Sequence, residues 1–224
     1  MMKIIKRSGS IFSYTFILIT VNVLIYFAAL IISFFVGHGD FSLGYQKTTE
    51  FLALNPSKIV HGQALWTFLT SMFMHGSPFH LFANMLSLMF LGGFVERLVG
   101  KKRFLGVYFA SGIAGSLFFV LSSYLSADLN VYAVGASGAI FGLAGMLAIL
   151  TPRLPVYIMF IPIAMPMWFG VIIIMLSLWI LSTSLNLPIG NTAHLGGLMI
   201  GLIYAYYLRT KYKEKAALIR KYYS

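Results

Sequence analysis

Between Arg153 and Arg209 the chain carries no Asp, Glu, Lys or Arg. One helix needs about 20 apolar residues to cross a bilayer, so residues 154–208 hold more apolar chain than one crossing can use. Proline divides the run. Pro155, Pro162 and Pro166 keep its first part from being a regular helix, and Pro188 with Gly190 marks a turn further on. Two spans are expected, at residues 167–182 and 192–208. Charged residues are only 9% of the whole chain, against about 25% in a soluble domain, and the mean hydropathy is +0.88. Disorder, coiled coil and collagen are excluded by that composition. The absence of cysteine excludes disulfides, thiolate catalysis and cysteine-ligated metal sites.

Four further spans are read at residues 11–36, 78–97, 104–126 and 137–151. Lys3, Lys6 and Arg7 precede the first like the basic start of a signal peptide. The apolar run is too long for one, and no small-residue cleavage site follows it, so an uncleaved anchor is expected. The chain thus divides into an N-terminal stretch at 1–10, a six-helix domain at 11–208 and a basic tail at 209–224. The expected fold class is an all-α membrane bundle. Only helices and closed barrels satisfy backbone polar groups in lipid, and these runs lack the alternation of barrel strands. Residues 37–77 form a long connection rich in aromatics, Phe41, Tyr45, Phe51, Trp66, Phe68 and Phe73 among them; it is expected to lie in the interface. No internal repeat of the kind that builds many transporters is found.

Charge sets the expected orientation. Under the six-span reading, fourteen of the sixteen basic residues fall on one side, and only Lys47 and Lys58 fall on the other. The net charge of +11 therefore reads as positive-inside loops, not nucleic-acid binding. Both termini are expected in the cytoplasm, with the chain in a cytoplasmic membrane of the bacterial or archaeal kind.

Polar groups at membrane depth are costly and are functional candidates. Three clusters stand out near the outer side. Ser137 opens the fourth span between Gly135 and Gly138; it reads either as a nucleophile or as part of a packing face, since Gly138 and Gly142 form a G-x-x-x-G pair. His194, Gly197 and Gly201 share one helical face of the sixth span. The histidine reads as a base or as a structural group bonded to a carbonyl. His75, His80 and Asn84 gather at the start of the second span, where the last two are i, i+4 neighbours. His80 and Asn84 read as oxyanion donors or as interhelical hydrogen-bonding groups, and His75, His80 and His194 could meet as metal ligands. A hydrolytic zinc site wants a carboxylate base, and none of Asp40, Glu50, Glu96, Asp128 or Glu214 adjoins these histidines in sequence. No metal and no cofactor are expected.

Together the clusters supply the parts of an acyl-transfer site. Ser137 would attack a carbonyl as His194 takes its proton. Phe141, on the face of Ser137, would stack on the His194 ring. Asn84, His80 and the Ser137 N–H would hold the oxyanion.

The chain resembles the rhomboid intramembrane serine proteases over nearly its whole length. Gly135-Ala136-Ser137-Gly138 matches the family's G-x-S-G, His75, His80 and Asn84 match its H-x4-H-x3-N, and Ala193, His194, Gly197 and Gly201 match its A-H-x-x-G-x-x-x-G. The segment from Leu91 to Arg97, with Gly100, resembles the end of its second span. The resemblance implies a Ser137–His194 dyad with His80 and Asn84 in the oxyanion region and His75 in support. It implies a water-filled site below the outer surface, substrates that are themselves transmembrane helices, and access past the fifth span and residues 182–191. One position departs. Where the family often has Trp-Arg before the second span, this chain has Trp66-Thr67. Two other readings compete: a non-catalytic rhomboid-like protein that binds membrane clients, and a small transporter or channel. The paired serine and histidine count against the first, and the lack of intramembrane acids counts against the second. Substrate identity and oligomeric state are not written in these motifs.

Overall fold

A computed structural model describes residues 13–158, 161–185 and 189–223. The N-terminal stretch with Lys3, Lys6 and Arg7, the first residues of the 11–36 span, Pro188 and Ser224 lie outside the described residues. Six helices build the bundle: α1 (Tyr14–Val36), α5 (Pro78–Val99), α6 (Lys101–Leu125), α7 (Ser137–Leu150), α8 (Met167–Ser184) and α9 (Asn191–Lys211). Short helices α2 (Phe41–Leu52), α3 (Pro56–Val60) and α4 (Thr67–Thr70) occupy the long connection after α1, and α10 (Lys213–Tyr222) ends the chain. By length and composition, α1, α5, α6 and α8 could each cross a membrane.

The other two bundle helices are central. α9 packs chiefly on α7 and α6. α7 is 14 residues long with eleven of them buried, so it rises about 21 Å within a hydrocarbon layer of about 30 Å. Arg153, just beyond its C-terminal end and exposed, belongs at the polar boundary. The opposite end, where Ser137 sits, therefore stops short of the far surface.

The chain after α7 is not helical. Prolines at both ends of the 155–166 segment fit an edge-rich hairpin better than a helix, and β1 (Pro155–Ile158) pairs antiparallel with β2 (Ile161–Pro166). Within the described residues this is the one sheet in an otherwise helical bundle.

Glu96 ties α1 to α5. Its carboxylate accepts from the Ser13 and Thr15 hydroxyls and from the Tyr14 and Thr15 N–H groups, at 2.5–2.9 Å. Those N–H groups are orphan donors at the start of α1, and a carboxylate there also meets the positive end of the helix dipole. The two helices come close because Gly92, in a π turn at Leu88–Gly92, leaves room: a Cβ there would lie 2.9 Å from Leu88 and 3.2 Å from Thr15. Glu96→Ala should lower stability by about 2–4 kcal/mol, because buried donors lose a charged acceptor. A fall in melting temperature in detergent checks this, with Glu96→Gln intermediate.

Candidate active site

The loop that delivers Ser137 is stapled to the connection after α1. Leu54 and Ala133 exchange two backbone hydrogen bonds at 3.0 and 2.9 Å. The Ser57 N–H donates to the Leu129 carbonyl at 3.1 Å, and the Asn55 amide donates to Val131 at 3.2 Å. At the end of this strap the Gly135 N–H donates to the Ser71 carbonyl at 2.8 Å. Gly135 has φ +120°, a conformation open to glycine and strained for other residues. A Cβ there would also lie 2.8 Å from the His80 ring. The chain then enters α7 at Ser137.

His194 reaches Ser137 from α9. Its Nε2 lies 2.8 Å from Ser137 Oγ. When Nε2 accepts from the hydroxyl, the ring proton sits on Nδ1, and Nδ1 is buried without a partner among the described residues. Among the described residues no carboxylate orients the ring. Phe141 stacks on it instead, with centroids 4.6 Å apart and planes 25° from parallel.

This approach depends on glycine. A Cβ at Gly197 would collide with the Gly138 carbonyl oxygen, and one at Gly201 with that of Gly142. The packing reading of these glycines and the site reading thus describe one arrangement: backbone-to-backbone contact of α7 and α9 sets the distance between Ser137 and His194.

The third cluster borders the same loop. His80 is partly buried beside Gly135. Asn84 is buried, and its amide donates to the His80 carbonyl at 2.9 Å, which leaves the second amide hydrogen for another acceptor. His75 is buried, with its ring 5.2 Å from that of His80 and Nε2 unpartnered among the described residues. Burial, aided by the neighbouring His80, pushes the His75 imidazole down to about 4, so it is uncharged at neutral pH. No group of three His, Asp or Glu side chains placed to hold a metal ion occurs among the described residues.

Several contacts go beyond the motifs. Ser77 caps α5, its hydroxyl accepting from the His80 N–H at 3.1 Å; the Ser-Pro pair is a legible helix start. Asn191, at the head of α9, donates to the Ser182 hydroxyl near the end of α8 at 2.6 Å. Thr67, where the resemblance leads one to expect arginine, is buried and donates to the Ala64 carbonyl at 2.7 Å.

A family model described as the rhomboid domain matches residues 62–211. The chain belongs to the rhomboid family. Among curated proteins, this rhomboid is 36% identical over 163 residues to RHOMBOID-like protein 1 of Arabidopsis thaliana, covering 71% of this chain and 39% of that one. It is 34% identical over 194 residues to rhomboid protease GluP of Bacillus subtilis, covering 86% of this chain and 34% of the relative. It also matches a protein named inactive RHOMBOID-like protein 8 of Arabidopsis thaliana, 39% identical over 87 residues, 39% of this chain and 23% of that one. The chain spans well under two thirds of the length of each, and the family holds proteins named as proteases and as inactive. With its apolar helices, this rhomboid is a multi-pass membrane protein.

Proposed function

We propose that this rhomboid is an intramembrane serine endopeptidase that cuts transmembrane segments of other membrane proteins with a Ser137–His194 dyad. The observation that carries the reading is the 2.8 Å contact between Ser137 Oγ and an imidazole with no carboxylate partner among the described residues. That distance is within the range for proton transfer.

Ser137 Oγ adds to the scissile carbonyl carbon as its proton passes to His194 Nε2. The oxyanion takes hydrogen bonds from the free Asn84 amide hydrogen, the His80 ring and the Ser137 N–H. Collapse breaks the C–N bond, and His194 gives its proton to the leaving amine. Water then attacks the acyl-serine ester as His194 takes its proton; the acyl C–Oγ bond breaks, and His194 returns the proton to Oγ, which releases the carboxylic acid and restores the Ser137 hydroxyl. The substrate reaches Ser137 past α8 and the turn before α9, of which residues 186–188 lie outside the described residues. The basic end of the bundle faces the cytoplasm, so cleavage falls near the substrate's outer end.

Labelling by a fluorophosphonate tests the reading. The intact protein should be labelled at Ser137, and Ser137→Ala should not. An unlabelled, folded protein would favour a client-binding rhomboid. Asn84→Ala should lower kcat by up to about 10²–10³-fold, the effect of losing one oxyanion donor, with KM moved less; an unchanged kcat would remove Asn84 from the site. Gly135→Ala should lower kcat by about 10²-fold, since a displacement of about 1 Å at reacting groups costs that much, while the protein still folds with a melting temperature lowered by the strain of alanine at φ +120°.

A further inference from the structure

At the basic end of the bundle α10 folds back over the ends of the spans. Tyr223, at its end, meets the Phe94 ring of α5 at 5.1 Å, Ala216 is buried, and Arg103 of α6 donates to the Tyr212 hydroxyl at 3.0 Å. Between α10, the turn after α7 and the first turn of α8 lies a cleft of ≈ 480 Å³ lined by Pro152, Arg153, Trp168, Ala217, Arg220 and Lys221. Half of its lining side chains are cationic and none is acidic. A second cleft shares Arg220 and adds Arg209 and Lys213. Glu214, in the first turn of α10, lines neither cleft, and Glu96 is engaged by the start of α1.

The ends of three helices set the level of this cleft. Arg153 follows the end of α7, Trp168 is the second residue of α8, and α10 begins just after α9 ends. Side chains around it suit the boundary between headgroups and acyl chains: Trp168 is 48% exposed, and Leu218 and Tyr222 on α10 are 54% and 76% exposed. Cations gathered beside a span and flanked by exposed apolar groups ask for an anion that carries its own apolar part.

We propose that this cleft binds the phosphate of an anionic phospholipid in the leaflet touched by the basic end of the bundle. Arg153 and Arg220 hold the phosphate oxygens through their planar guanidinium forks. Lys221 adds charge, and Trp168 lies against the glycerol backbone. A free phosphate would gain nothing from the apolar flank. This assignment is independent of the protease reading.

Native mass spectrometry of the full chain, released from neutral detergent after exposure to equal amounts of phosphatidylglycerol and phosphatidylcholine, tests it. The wild-type protein should retain phosphatidylglycerol in preference. Arg153→Gln/Arg220→Gln should lower that preference about 30-fold, the size expected for two phosphate-facing charges. Lys102→Gln/Lys215→Gln removes the same charge outside the cleft and should keep the preference. Equal retention of both lipids by the wild type overturns the proposal, as does equal loss in the two double variants. Inorganic phosphate bound as tightly as the lipid, and lost in the arginine variant, would also overturn it in favour of a soluble anion. A second measurement avoids altering the cleft. In Trp66→Phe/Trp179→Phe protein, brominated phosphatidylglycerol should quench Trp168 fluorescence more than brominated phosphatidylcholine; equal quenching counts against the site.

Discussion

Gly197→Leu is expected to leave an inserted, helical protein that cleaves at least about 10²-fold more slowly than wild type, although it changes no reacting group. The cause is backbone contact. A Cβ at Gly197 meets the Gly138 carbonyl oxygen, which cannot rotate aside as a side chain would. α9 can accommodate leucine only by moving away from α7, and His194, three residues earlier on α9, moves with it. The 2.8 Å contact with Ser137 then opens beyond hydrogen-bonding range. Gly201→Leu should act in the same way, because its Cβ would meet the Gly142 carbonyl oxygen. Cleavage rates beside circular dichroism and melting curves check this. A Gly197→Leu protein with wild-type kcat would break the link between the glycine stripe and the dyad.

The second large effect is the loss of the dyad itself. Ser137→Ala and His194→Ala should each reduce cleavage to background, and the double variant should be no worse than either, because the pair acts as a unit. Additive losses would mean that the two residues serve separate steps. Activity should fall as pH drops, since a protonated imidazole cannot take the Ser137 proton. His75 adds no charge to the site until pH nears its lowered pKa of about 4. Chelators should leave the rate unchanged, and inhibition by EDTA would contradict a serine mechanism.

Local signals made much of this legible. Charge-free runs mark the apolar helices, since length and hydropathy are properties of contiguous residues. The meeting of Ser137 and His194 is legible because glycines lie close to both in sequence, and four of these, Gly138, Gly142, Gly197 and Gly201, serve the close approach of α7 and α9. What is not legible rests on pairs far apart in the chain. Glu96 stands in sequence as an acid within a motif, yet it binds the start of α1 more than 80 residues away. The strap that positions Ser137 depends on Leu54 meeting Ala133, and neither residue carries any polar side-chain signal. The hairpin at 155–166 is visible only as a stretch that proline bars from helix. The return of α10 onto α5 rests on aromatic contacts such as Phe94 with Tyr223, which a basic tail does not announce.

The most direct test is cleavage of a tagged single-span substrate in liposomes by the purified wild-type protein and by Ser137→Ala. The wild type should release a fragment cut near the end of the substrate span that lies at the level of Ser137, and the variant none. Cleavage by Ser137→Ala at the wild-type rate would contradict it.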